Sequence, residues 1–419
     1  MATMDDRVKE RETTINMNAG PSPLPTPALI EAAQALLSFP ATPGMGIAEI
    51  SHRSKPFEQV LHEANANLRS LLQVPDNYKI LWMQGGGLTQ FATTVLNLVA
   101  AYRIKHKLSA NDDVVADYAV TGSWSSKAAN EATRLGLRVN KVVDGKKLGN
   151  GKFNTILDAS QWQWTNPNDD ATHRKPAFVY YCDNETVDGI EFASKGAKAF
   201  PLDDVDKDVP IVCDMSSNFL SRPVDVAKYG VIYAGAQKNL GPAGATVIIV
   251  REDLIVDLDE AVQYGGARVP SMLSYKNMAD NDSMYNTPPT FTIYVCGLVL
   301  KSLLDSPPLP RATNDKPLEP LSAFANKKSS LVYDQLDSSF YSGTADKSVR
   351  SRMNPTFRIK GGEESLEKKF VTEASERGIK GVNGHRSVGG IRTSIYNAVT
   401  LDHVMKLVEF MKEFKARNQ

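Results

Sequence analysis

The stretch Gly230-Val-Ile-Tyr-Ala-Gly-Ala-Gln-Lys238-Asn-Leu-Gly-Pro-Ala-Gly244, continued by Ala245-Thr-Val-Ile-Ile-Val250, decides the fold. It holds two short apolar runs, Val231–Ala234 and Thr246–Val250, around a turn dense in glycine and small residues. Runs this short and this uniformly apolar read as strands covered on both faces. Working outward, Lys79–Met83, Val114–Val120, Ala177–Cys182 and Val209–Cys213 share that character, and helical stretches such as Phe91–Ala100 separate them. Alternation of buried strands with helices predicts an α/β fold built on a mainly parallel sheet. Ligands of such sheets gather at the carboxyl ends of the strands, so the residues just past each strand are the candidates for chemistry.

Upstream of the sheet, Thr26 before Pro27 predicts a helix start with threonine as cap, followed by an apolar face of Leu29, Ile30, Ala33, Leu36 and Leu37. Phe57, Val60, Leu61, Ala64, Leu68 and Leu72 predict a second helix. Asn154–Lys175 and Asp305–Lys328, the latter with Pro-Pro-Leu-Pro, read as surface insertions. The expected organisation is a disordered tail at 1–14, a segment 15–25 packing with the smaller domain, a large domain 26–304, and a smaller α+β domain 305–419. An amphipathic helix, Leu401–Phe414, with Thr400 as its cap, ends that last domain.

Composition narrows the function. The 419 residues carry 48 Lys+Arg and 48 Asp+Glu, so there is no global basic field for nucleic acid. Three scattered cysteines, Cys182, Cys213 and Cys296, argue for a reducing compartment and against a disulfide framework or a thiolate metal site. No apolar run approaches the roughly 20 residues of a membrane span. The acidic, apolar-poor start Met1–Glu12 fits neither a secretory nor a mitochondrial leader. A cytoplasmic protein without metal is the expectation.

Past the first strand lies Gln84-Gly-Gly-Gly-Leu-Thr-Gln90, where glycines and the N–H groups of the next helical turn suit a phosphate. The spacing is neither a dinucleotide fingerprint nor a Walker loop, and a plain βα turn is the alternative. Asp214 ends one strand, and Lys238 follows the next, 24 residues on. Each alone would be a solvated loop charge. Together with the glycine loop they match pyridoxal phosphate, which needs a lysine for an imine, a carboxylate at its ring nitrogen and an N–H-lined phosphate seat. Trp124 opens a helix after strand 114–120 and is either a flat wall for the ring or a core tryptophan. Asn184-Glu-Thr186 offers an amide and a hydroxyl to the same rim, or is simply a turn. The pairs His52-Arg53 and His385-Arg386, with Arg392, suit a substrate bearing a phosphate and a carboxylate, although any single arginine could serve a surface ion pair.

Asn18–Pro25, Ile50–Phe57, Gln84–Phe91, Tyr181–Thr186, Cys213–Ser217, Ser221–Asp225, Tyr229–Gly244, Tyr285–Thr290 and Gly384–Asn397 together resemble the phosphoserine aminotransferases of the class-V pyridoxal-phosphate group. The motifs span nearly the whole chain. That resemblance implies an aspartate-aminotransferase-like fold with a seven-stranded, mainly parallel sheet and a smaller C-terminal domain. It implies ping-pong transamination between L-glutamate and 3-phosphohydroxypyruvate, serving serine biosynthesis. It makes Lys238 the imine lysine, Asp214 the partner of the ring nitrogen and Trp124 the stacking ring. Thr186, Gly87, Leu88 and Gln237 would help hold the cofactor. Asn286 and Thr287 would reach the cofactor phosphate of the other subunit of a homodimer. Arg392 would grip the α-carboxylate, and His52, Arg53, His385 and Arg386 the distal anionic group. Thr89 stands where many such chains carry glycine. The nearest rivals are glyoxylate aminotransferases, a cysteine desulfurase, and a non-catalytic phosphate-binding protein.

Overall fold

A computed structural model describes residues 3–149 and 151–419. Seven strands form the central sheet: β1 (Tyr78–Met83), β2 (Val115–Val120), β3 (Arg138–Asp144), β4 (Val179–Cys182), β5 (Ile211–Asp214), β6 (Val231–Gly235) and β7 (Thr246–Arg251). Their order across the sheet is β1-β7-β6-β5-β4-β2-β3. β7 runs antiparallel to both its neighbours, and the other pairings are parallel. The six strands that share a direction therefore deliver their carboxyl ends to one rim. β2, β4, β5 and β6 are buried along their whole length, as crossover helices on both faces require.

The sequence signals for strands miss β3. It is the sheet's edge, and only Val142 and Val143 in it are fully buried, so it lacks an apolar run. The helix Lys55–Leu72 buries all six of its expected apolar residues and Leu71 besides, and the helix Thr26–Leu37 packs beside it against helix Thr290–Asp305. Thr26 does not cap that helix. It lies inside the first turn, after Pro25, and its hydroxyl accepts from Arg11 Nε at 3.1 Å.

The expected disorder before residue 15 is corrected. Met4–Glu12 is a helix with a reciprocal Thr3–Asp6 cap, and Arg11 Nη2 holds the carbonyl of Leu24 at 2.6 Å. Met1 and Ala2 lie outside the described residues. Helix propensity and capping act locally here, while Arg11 supplies the anchor. The two insertions are not wholly superficial. Ile156 and Trp162 are buried, with Trp162 edge-on to Phe192 and Phe200. Residues 319–328 begin the helix Glu319–Tyr333, which buries Leu321, Phe324 and Ala325.

A second hydrophobic cluster gathers the C-terminal strands Tyr341–Gly343, Thr356–Ile359 and Ile391–Arg392 under the helices Glu364–Glu376 and Leu401–Asn418. Phe340, Tyr341, Phe357, Phe370, Phe410 and Phe414 interlock there, mostly edge-to-face. Thr400 caps the last helix as its sequence suggests, and the helix runs on to Asn418. Ile15 pairs with Ile379 and joins this cluster with Met17, whereas Leu24 packs against the larger one. The N-terminal segment thus crosses from one cluster to the other, and it does so over the rim.

Candidate active site

At the rim, β1 runs into Gln84 and three glycines. Gly85 and Gly86 take φ of 94° and 64°, the left-handed region, and a Cβ on Gly85 would sit 1.9 Å from Thr89 Oγ1. This turn opens the helix Gly86–His106 with no side chain capping it, so its first N–H groups face outward unpaired. Thr89 lies within the first turn in ordinary helical conformation, so glycine is not required there.

Asp214, the last residue of β5, is 5 % exposed, and its Oδ1 accepts from Ser216 N at 2.9 Å. A Cβ on Gly87 would lie 3.6 Å from Asp214 Oδ2, so the carboxylate stands across from the glycine turn. Burial pushes its pKa up, while the Ser216 bonds and the nearby Lys238 charge pull it down. Lys238 follows β6, the strand next to Asp214, and its Nζ donates to Thr186 Oγ1 at 2.7 Å. Burial lowers the pKa of that amine, opposed by Asp214 and assisted by Arg392. The ammonium is 5.8 Å from the centre of the Trp124 ring.

Gly87, Leu88, Trp124, Thr186, Asp214, Gln237 and Lys238 line one cavity of about 230 Å³. That exceeds the roughly 150 Å³ that accommodates a benzene ring. The uncapped helix turn suits a phosphate, Asp214 a ring nitrogen and Lys238 an aldehyde, so these residues fit pyridoxal phosphate. Arg392 lies in the adjoining wall: its Nη1 is 3.4 Å from the carbonyl of Thr186, and its Nε is buried without a partner. Such an orphaned donor calls for an anion. His385 stands close enough to Arg392, Lys127 and Arg386 for their charges, with burial, to lower its pKa. Arg386 is exposed.

Other sequence candidates stay outside the cavity of their own chain. His52 and Arg53 sit in the turn before helix Lys55–Leu72, where His52 Nε2 is buried without a partner and Arg53 is exposed. Asn286 Nδ2 donates to Gln84 Oε1 at 2.9 Å, and Thr287 is exposed. The three cysteines are buried and free, and burial drives the Cys182 thiol at the cavity wall far from ionisation. No nucleophilic thiol of the kind a desulfurase needs is present among the described residues.

Comparison with known proteins matches residues 14–407 to the family described as aminotransferase class-V. The chain belongs to the class-V aminotransferases. It is 44 % identical to the phosphoserine aminotransferase of Drosophila melanogaster over 97 % of this chain and 99 % of the relative. The solved phosphoserine aminotransferase of Bacillus circulans subsp. alkalophilus superposes with a TM-score of 0.82 at 39 % identity, covering 97 % of this chain and all of that one. A PLP-bound phosphoserine aminotransferase from Trichomonas vaginalis gives 0.78 at 34 % identity, over 95 % and 99 %.

Two features of this aminotransferase site escape sequence reasoning. Ser22 lies on the lysine turn: its N–H donates to the carbonyl of Gln237 at 3.0 Å, and its hydroxyl bonds the carbonyl of Lys238. Ser22 falls in the quoted Asn18–Pro25 motif, but nothing in the motif says what it touches. The second is Glu185, fully buried beside Thr186. Burial and the neighbouring Asp188 raise its pKa, against hydrogen bonds from Ser125 and Trp124. A carboxylate inside a strand-end motif is a visible signal, though not of its direction.

Proposed function

We propose that this class-V aminotransferase is a phosphoserine aminotransferase that reversibly transfers the amino group of L-glutamate to 3-phosphohydroxypyruvate. The products are 2-oxoglutarate and O-phospho-L-serine, the latter feeding serine biosynthesis. The observation that carries this reading is Arg392, whose Nε is buried without a partner, beside Lys238 and near His385 and Arg386. One amino acid with an anion at each end would satisfy that arrangement. The names of its full-length relatives agree.

Bound pyridoxal phosphate would supply an aldehyde that accepts the amino group and an electron-poor ring that takes up the electron pair left on the α-carbon when its proton is removed. The uncapped N–H groups at Gly87 and Leu88 would hold its phosphate, with Gln237 alongside. Asp214 keeps a proton on the ring nitrogen, a task its buried carboxylate performs by pairing with that charge. Lys238 Nζ would be the base that takes and returns the proton at the substrate α-carbon. Its burial favours the neutral amine such a base requires. Trp124, whose ring centre is 5.8 Å from Lys238 Nζ, would offer its flat face to the cofactor, and Thr186 orients the lysine. Arg392 takes the α-carboxylate, and His385 and Arg386 the distal phosphate or carboxylate.

Asn286 and Thr287 would serve the cofactor phosphate from a second subunit, and His52 and Arg53, in the turn before helix Lys55–Leu72, would help bind the distal anionic group. The working unit is then a homodimer in the cytoplasm. No helix of the described residues is long and apolar enough to cross a membrane. The test is spectral and kinetic. The purified protein should be yellow, its visible band should shift on adding glutamate, and phosphoserine should be turned over at least about a hundredfold better than serine, two lost charge-assisted bonds being worth that much. Equal turnover of the two would overturn the substrate; a colourless protein that binds no pyridoxal phosphate would overturn the reaction.

A further inference from the structure

The helix Ser123–Arg134 starts at Gly122, which has no side chain to cap it. Its first three N–H groups are nevertheless all taken, and the acceptors come from some 60 residues away in sequence. Ser123 N donates to Asp188 Oδ2 at 2.7 Å, Trp124 N to Glu185 Oε2 at 2.7 Å, and Ser125 N to Glu185 Oε1 at 2.8 Å. The Ser125 hydroxyl adds a fourth bond, to Glu185 Oε1 at 2.6 Å. Both carboxylates sit in the short hairpin that pairs Asn184 with Glu191 and Glu185 with Ile190. Negative charge at a helix N-terminus is favourable, and no other group meets these donors.

Gly122 shows how close the seat is. A Cβ there would lie 2.2 Å from Glu185 Cγ and 2.3 Å from Cδ, so the glycine makes room for the carboxylate. The next residue along the hairpin, Thr186, bonds Lys238 Nζ at 2.7 Å. One hairpin therefore ties the tryptophan helix with Glu185 and the lysine with Thr186.

We propose that Glu185, seconded by Asp188, is a positioning residue that sets the Trp124 ring over the cofactor by capping the helix on which it stands. This rests on the pyridoxal-phosphate reading above. Neither carboxylate touches the cavity, so the effect passes through Trp124 and through the backbone N–H that Glu185 grips.

A double-mutant cycle on the intact protein tests this, reading the dissociation constant of pyridoxal phosphate and the circular dichroism of its visible band. Glu185→Ala should weaken cofactor binding roughly tenfold, as expected for loss of a ring contact, and should reduce the dichroism per bound cofactor. Glu185→Gln, which keeps the shape but turns one acceptor oxygen into a donor facing a backbone N–H, should show a smaller, still measurable loss of both. In a Trp124→Phe background, Glu185→Ala should add little to either. Additive losses in the two backgrounds, or unchanged dichroism and affinity in Glu185→Ala, would overturn the proposal even if its melting temperature fell. Should Glu185→Ala not fold, the same cycle is run with Glu185→Gln, where a measurable loss that persists at full size in Trp124→Phe is the overturning result. Absence of any visible band in the wild type would instead strike the cofactor reading itself.

Discussion

Lys238 and Asp214 stand at the ends of adjacent strands, and burial presses on both: it disfavours the ammonium of one and the carboxylate of the other. Their mutual attraction opposes both shifts, so removing either partner changes the charge state of its neighbour as well as its own chemistry. Lys238→Ala is expected to abolish turnover together with the cofactor linkage that borohydride traps on this residue, as checked by mass spectrometry of the reduced protein. Asp214→Ala should lower kcat on the order of a thousandfold, because an unprotonated ring is a poor electron sink. Single-turnover spectroscopy at saturating glutamate measures that directly. Arg392→Lys keeps the charge but loses the paired geometry, and should raise the KM for glutamate more than it lowers kcat. Lys238, Asp214 and the glycine turn were all legible in the sequence because chain neighbours of strand ends must lie on the rim. The reach of Glu185 was not, since an acceptor 60 residues from its donors leaves no local pattern.

At the scale of elements, the hairpin 184–191 is held from below by buried charge. Arg222 Nη2 bonds both oxygens of Asp183, at 2.7 and 2.6 Å, its Nη1 the carbonyl of Phe192 at 2.8 Å, and Arg352 completes the set on Glu191 at 2.6 Å. Arg222→Met would leave Asp183 buried without its cation and should cost about 3–5 kcal/mol, read from the urea midpoint. Lys328, in helix Glu319–Tyr333, donates to the carbonyls of Ile395, Tyr396 and Val399 at 2.9, 2.6 and 2.8 Å, fastening the chain that follows Arg392. Burial draws its pKa down to about 7. The unfolded chain holds that proton up to about pH 10.4. Stability from this group is therefore full above about pH 10 and drains as pH falls toward 7. Between those limits the wild type should gain up to about 1.4 kcal/mol per pH unit, an increment that Lys328→Met should lack in denaturant titrations at pH 7.5 and 9. Sequence pattern announced the strands buried on both faces and the buried face of helix Lys55–Leu72, but not that of helix Thr26–Leu37, which buries Ala28, Ala32 and Ala35 and leaves the expected Leu36 and Leu37 exposed. It passed over β3 and the helix Met4–Glu12, where one side faces water and polar residues carry the structure.

For the whole molecule, the cavity of one chain gathers seven of the sequence candidates, while His52, Arg53, Asn286 and Thr287 lie apart from it. If Asn286 and Thr287 come from a second subunit, two separately defective chains should complement one another. Co-expression of Lys238→Ala with Asn286→Ala/Thr287→Ala should yield mixed dimers in which one site is intact, giving about a quarter of wild-type activity at random assortment. Activity no greater than the average of the two parents would place Asn286 and Thr287 with the site of their own chain. The N-terminal segment adds a second long-range tie, pairing Ile15 with Ile379 and laying Ser22 on the lysine turn.

The amino-acid sequence by itself determined the alternation of strand and helix, the rim on which Asp214 and Lys238 meet, and the glycine turn that opens a helix. Each follows from local periodicity and backbone sterics, which are written residue by residue. Only the tertiary structure decided which distant carboxylate caps which helix, which carbonyls a buried lysine binds, and that Ser22 of the N-terminal segment closes over the lysine turn. Those pairings are settled by how buried polar groups find partners once water is excluded, and that outcome belongs to the packed chain as a whole.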